Sequence, residues 1–268
     1  MGTQRHPGQA ASAANLRALL AGSAIVASHH DSDHAVQDPY SMRCTPQVHG
    51  AARDAAGFAR DVFGRELASV TDNPVVLPDG RVESAGNFHG EPLAYVLDLL
   101  AIAMTGLANI SERRTAWLLA PGATRGLPEF LTANAGLSSG FMIAQYTQAA
   151  LVSECKGLAH PASVDSIPTS GSQEDHVSMG WTAGLQLHAV LQHVAAVLAI
   201  EALCGAQALD LRAPLTPAAG TGAARDAVRR VVAHLDEDRE MAPDIATATA
   251  LVAGGGLAGA VAEEVELS

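Results

Sequence analysis

The chain has 268 residues, enough for one large domain with a sizeable core. Apolar residues make up 48% and charged residues 16%, which excludes a disordered chain, and a formal net charge of −12 argues against a nucleic-acid or anionic-membrane surface. Cys44, Cys155 and Cys204 lie far apart, which excludes a disulfide framework or a cysteine-type zinc site and points to a reducing compartment. The first apolar stretch is broken by Arg17, so no signal peptide is expected, and no apolar run is expected to reach the ~18 residues of a membrane span. These features point to a cytoplasmic protein.

Aromatics are only 4% of the chain, and its bulk comes from Ala, Leu and Val, a mixture suited to long packed helices. Along 46–70, Val48, Ala51, Ala52, Ala55, Phe58, Ala59, Val62, Leu67 and Val70 recur at helical spacing, with Arg53, Asp54, Arg60, Asp61 and Arg65 between them. Thr71-Asp72-Asn73-Pro74 stops that helix. Val75-Val76-Leu77, Pro78-Asp79-Gly80 and Arg81-Val82-Glu83 read as a small β-hairpin. Proline is absent from 93–120, 129–160 and 169–213, so helices can run through these windows. The segment 92–119 is apolar almost all round, interrupted by Asp98, Asn109 and Glu112-Arg113-Arg114, and predicts a buried helix begun by Pro92. Further helices are expected at 140–159, 175–208, 220–235 and 242–253, with loops at 84–91, 121–136 and 160–174. The expected fold is all-α: a single helical domain over 1–268, a bundle of long central helices with a hairpin near 75–83. So much apolar helix surface also predicts an oligomer.

Three motif matches carry little. Gly254 to Gly259 spells G-x-G-x-x-G, but only nine residues follow, too few for a βαβ unit. Gly136 to Gly140 spells G-x-S-x-G without a preceding strand, and Ser138 or Ser139 reads better as a helix N-cap. The run His29-His30-Asp31-Ser32-Asp33-His34 has metal-ligand side chains but reads as a polar loop, so no metal is expected.

Three polar segments sit at element ends with unusual combinations. They are 36–44, 84–92 and 160–180, and within them stand Gln37-Asp38-Pro39-Tyr40-Ser41-Met42-Arg43-Cys44, Gly86-Asn87-Phe88-His89-Gly90-Glu91-Pro92, and Gln173-Glu174-Asp175-His176-Val177-Ser178-Met179-Gly180. Taken singly, each could serve a helix end, with Glu174 and Asp175 complementing an N-terminus. Taken together with Ser111-Glu112-Arg113-Arg114, their order and approximate spacing resemble the histidine ammonia-lyases of the aromatic amino acid lyase family. The resemblance runs from His6-Pro7-Gly8-Gln9 to Ala242-Pro243-Asp244-Ile245 and corresponds to the C-terminal half of a full-length member.

That resemblance implies a helical, cytoplasmic homotetramer that eliminates ammonia from L-histidine to give urocanate. It implies Tyr40 and Glu174 as catalytic residues, with Tyr40 beside the reacting amine and Glu174 near the imidazole. It implies Arg43 as the clamp for the substrate carboxylate, with Gln37, Asn87 and Phe88 lining the pocket. A fork-shaped guanidinium suits that clamp because it meets a carboxylate with two parallel N–H bonds. The sequence departs from the family at its electrophile, methylidene-imidazolone, which forms from an internal Ala-Ser-Gly triplet. That triplet occurs nowhere here: Ser84-Ala85-Gly86 is scrambled, and Thr169-Ser170-Gly171 lacks the Ala. Ser172 also stands where the family usually has Asn. Two readings follow. In one, the chain is one subunit of a split lyase, or a fragment of a lyase, whose partner is an electrophile-bearing lyase chain. In the other, it is an inactive homologue serving as scaffold or regulatory partner of a full-length lyase.

Overall fold

The computed structural model describes residues 5–30, 36–120, 122 and 126–268. Its helices in chain order are α1 (Pro7–Leu20), α2 (Ala24–Ala27), α3 (Tyr40–Arg43), α4 (Thr45–Leu67), α5 (Glu91–Leu119), α6 (Met142–Leu158), α7 (Gly180–Leu211), α8 (Ala219–Arg229), α9 (Ala242–Ala253) and α10 (Gly256–Ala262). Among the described residues the only sheet is the expected hairpin, β1 (Val75–Val76) paired antiparallel with β2 (Val82–Glu83). Its turn closes by a bond from the Gly80 amide to the Leu77 carbonyl, with Gly80 at φ 83°, a backbone that glycine adopts at little cost. The all-α expectation holds.

The core is organised along α7, which packs against α5, α6, α8 and α9. Side-chain pairings fix the helix directions. Near their starts, Gly180 of α7 lies against Ala94 of α5; near their ends, Arg114 of α5 bonds Glu201 of α7. The two longest helices therefore run side by side in the same sense. α6 returns against both, since Gln145 bonds Glu112 at one end while Thr105 bonds the Cys155 carbonyl further along. α4 also opposes α5, with His49 beside Arg114 and Val62 clustered with Val96. One apolar cluster joins Ala101, Ala108, Val152, Leu187, Val190 and Val194; a second joins Leu119, Leu131, Phe141, Ile200 and Leu203.

Each polar interruption noted in 92–119 has a partner. Buried Asp98 accepts from the Ser163 amide at 2.8 Å, Asn109 donates to the Thr105 carbonyl, Glu112 accepts from Gln145 at 2.6 Å, and Arg114 pairs with Glu201. The fully buried Gln148 donates to the Val197 carbonyl at 2.8 Å. A paired buried charge is tolerated where a lone one is not, so the Ser111-Glu112-Arg113-Arg114 motif binds helices together.

Several expectations need correction. The 92–119 helix is not buried all round: Tyr95 and Ile102 are exposed, as are Trp181, Leu185 and Leu191 on α7. Both α5 and α7 contain 18-residue windows long and apolar enough to cross a membrane by length and composition, contrary to the expected absence of such runs. On α4 the apolar stripe is only half used, with Ala52, Ala59 and Val62 buried but Phe58 and Leu67 exposed. The last long helix starts at Gly180 rather than 175, because Met179 adopts a left-handed backbone at φ 57°. The 220–235 helix ends at Arg229, and the chain then turns. Neither Ser138 nor Ser139 caps a helix; α6 begins at Met142, and the Ser139 and Gly140 amides bond Asp238 instead. Gly254 and Gly255 form the break between α9 and α10. Asp31 to His34 of the histidine-rich run lie outside the described residues.

Helices α1 and α4 cross at glycine. A Cβ on Gly50 would sit 2.4 Å from the Gln9 backbone nitrogen, and one on Gly8 would sit 2.3 Å from the Gly50 carbonyl oxygen. Both obstacles are backbone, so the helices must separate to admit a methyl group. Gly50→Ala is expected to destabilise the protein by about 1–3 kcal/mol, read as a lower urea midpoint at unchanged slope.

Candidate functional site

The parallel course of α5 and α7 brings the segments before them to one end of the bundle. His89 and His176 meet there: their rings stack 5.6 Å apart at 3° between planes, and His89 Nε2 lies 3.1 Å from the His176 carbonyl oxygen. On one flank, Asn87 donates to the Val70 carbonyl at 3.2 Å and Phe88 projects outward, 58% exposed. On the other, Glu174 is held by a tight loop in which the Thr169 amide bonds the Glu174 carbonyl at 2.9 Å and the Thr169 hydroxyl donates to its carboxylate. Ser170, Gly171 and Ser172 all have positive φ in that loop. Hydrogen bonds from the Thr169 hydroxyl and then Ser170 hold the Glu174 carboxyl below its ordinary value, and its side chain is exposed.

Gln37, Tyr40 and Arg43 form a second group at the other end. Arg43 Nη1 donates to Gln37 Oε1, and its guanidinium sits 5.0 Å from the centre of the Tyr40 ring. This cluster precedes α4, whose first turns pair with the far half of α5 through His49 and Arg114. From Arg114 back to Glu91 is about 35 Å of helix at 1.5 Å per residue. The structure therefore gathers the six candidate residues into two triads: Gln37, Tyr40 and Arg43 at one end, and Asn87, Phe88 and Glu174 at the other. Among the described residues no hydrogen bond joins the two triads. Tyr40 is 71% exposed, which leaves its phenol open to whatever packs against that end.

Sequence reasoning named the segments holding His89, Glu91 and His176 but gave these three no role, because their proximity arises only from the fold. Glu91 starts α5; it raises the Tyr95 phenol above its ordinary value by a hydrogen bond and by its charge. The cavity of about 420 Å³ between α1, α4 and α5 is lined by Leu16, Ala52, Met104 and Leu107 and holds none of the six candidates.

An aromatic amino acid lyase family model matches residues 1–230. The chain belongs to the aromatic amino acid lyase family. It is 58% identical over 253 residues to the histidine ammonia-lyase of Anaeromyxobacter sp. (strain K), covering 94% of this chain and 50% of that relative. Its fold matches the crystal structure of histidine ammonia-lyase from Trypanosoma cruzi with a TM-score of 0.88 at 44% identity, covering 97% of this chain and 49% of that one. It also matches a tyrosine aminomutase from Streptomyces globisporus with a TM-score of 0.90 at 35% identity, covering 100% of this chain and 54% of that one. The chain thus spans about half the length of the lyases it resembles.

Neither near-match to Ala-Ser-Gly within residues 1–268 can form the methylidene-imidazolone group expected in the family. Ser84-Ala85-Gly86 has the wrong order, and its Ala85 amide is tied to Asn73 Oδ1 at 2.9 Å. Thr169-Ser170-Gly171 forms the turn that holds Glu174. This chain contains no Ala-Ser-Gly from which the group could form.

A depressed carboxyl pKa stabilises the fold above the unfolded-state value and loses that contribution as pH falls through the folded-state value. Carbon-13 titration of Glu174 is expected to give a midpoint below 4.5. Thr169→Val, which removes the larger of its two hydrogen bonds, is expected to move that midpoint upward; an unchanged midpoint would show that the bond does not form.

Proposed function

We propose that this chain supplies the substrate-reading residues of a histidine ammonia-lyase that converts L-histidine to urocanate in the cytoplasm, with a second lyase chain supplying the electrophile. The observation that carries the reading is Glu174, an exposed carboxylate held in place by the Thr169 hydroxyl. An ionised carboxylate accepts the ring N–H of an imidazole, which a phenyl ring lacks. Arg43 serves every amino acid alike: the edge now occupied by the Gln37 oxygen can take a carboxylate as a charge-assisted pair. Tyr40, stacked on that guanidinium, places its phenol beside the bound substrate, where it can donate a hydrogen bond to the reacting amine or accept one from it. Asn87 and Phe88 line the imidazole end next to Glu174.

One histidine molecule is far shorter than the distance between the two triads. A single site therefore needs the Arg43 end of one copy against the Glu174 end of another. The exposed Tyr95, Ile102, Trp181 and Leu185 supply apolar surface for such packing, so the active form is a homo-oligomer joined by the electrophile-bearing chain. A second reading makes the chain a scaffold or regulatory partner of a full-length lyase.

The two readings separate on kinetics of the chain reconstituted with an electrophile-bearing half, followed by urocanate absorbance. Arg43→Lys is expected to weaken histidine and an aromatic amino acid alike, by about 10-fold or more, because a point charge replaces a planar fork. Glu174→Gln is expected to cut kcat/KM for histidine by about 10²-fold, with little effect on the aromatic substrate. Equal losses on both substrates would remove the imidazole role of Glu174, and no turnover in the reconstituted complex would favour the scaffold reading.

A further inference from the structure

The stacked histidines that join the two loops have a third neighbour. His89, Glu91 and His176 each place one ligand atom within 4.8 Å of the other two, and the site is built from two segments 85 residues apart in the chain. His89 and Glu91 are half-buried and His176 is exposed, so the group is fixed on its inner side and reachable from solvent. We propose that His89, Glu91 and His176 form a binding site for a divalent transition-metal ion of the zinc class, with its fourth position open to water.

Three features of the site support this. The donor set is two imidazoles and one carboxylate, a combination that zinc accepts with one position left for solvent. His89 already engages the His176 carbonyl through one ring nitrogen. An imidazole that donates one ring N–H to a backbone carbonyl has its tautomer set and presents its other nitrogen as a ligand, an arrangement typical of metal-bound histidine. Glu91 Oε2 is buried without any hydrogen-bond partner. A buried carboxylate oxygen left unpaired is costly, and a cation beside it removes that cost. In a tetrahedral zinc site the donor atoms stand about 3.3 Å apart, so side-chain rotations that draw the three inward by roughly 1 Å complete the geometry. The two histidines flank opposite elements: His89 follows Phe88, and His176 lies two residues beyond Glu174. A bound ion would tie the segment before α5 to the segment before α7.

This proposal does not rest on the histidine ammonia-lyase reading and can be tested on the chain by itself. Calorimetric titration of EDTA-treated protein with Zn²⁺ is expected to show one binding event that His176→Ala or His89→Ala weakens by at least about 100-fold and Glu91→Gln by about 10-fold or more. The His29 to His34 run could bind zinc independently, so a His30→Ala/His34→Ala variant serves as control and is expected to retain the event. Nitrogen-15 spectra of the unmodified chain give a readout independent of how the variants fold. Addition of Zn²⁺ should shift the ring signals of His89 and His176. Shifts confined to other histidines, or an event unchanged by His89→Ala and His176→Ala, would overturn the site.

Discussion

The parallel alignment of α5 and α7 is the constraint on which the rest of the molecule depends. Two long helices running in the same sense need a connection that crosses back, and α6 fills that place, packed against both. Small residues let the pair close: Gly180 lies with its backbone near Ala94, and a Cβ on Gly90 would come within 3.2 Å of the Ser178 hydroxyl. Since both helices begin at the same end, the loops that feed them must meet. His89 and His176 meet for that reason, although more than eighty residues separate them in the sequence, and they bring Asn87, Phe88 and Glu174 to the same end of the bundle.

The polar groups divide between two jobs. Those in the middle of the bundle, Glu112, Arg114 and Glu201, are paired within the chain and hold helices in register, and the Gln148 amide nitrogen donates to the Val197 carbonyl. Those at the bundle ends face solvent, and their partners within the chain are weak or local: Gln37 for Arg43, and Thr169 for Glu174. A substrate can displace such partners cheaply, whereas it could never displace the buried pairs. On the proposed reading, the end groups stand at the surface to be enclosed by other copies or chains.

Much of this fold was legible in the residues. Proline placement and helical spacing gave α4, α5, α6 and α9 within a few positions, and Pro78-Asp79-Gly80 marked the hairpin. Helix α1 went unmarked because its buried face is made of Gly8, Ser12 and Ala13, small residues that pack by close approach and leave little hydrophobic periodicity. The start of α7 was misplaced because nothing local announces the left-handed Met179. Burial of α5 and α7 was overestimated, since an apolar helix face reads the same whether it meets its own chain or another. The motifs identified the six candidate residues but could not reveal their division between opposite ends. That division follows from helix direction, which only tertiary pairings such as His49 with Arg114 define.

The central claim is that a working site draws Arg43 and Glu174 from different copies of this chain. Mixing two defective forms tests it directly: chains carrying Arg43→Ala and chains carrying Glu174→Gln, unfolded or dissociated together and reassembled with the electrophile-bearing half. If the two residues come from separate copies, random assortment restores both to about a quarter of the sites, and the mixture should turn over histidine well above either variant alone. A mixture no more active than its components would place both residues of each site on one chain and contradict the account.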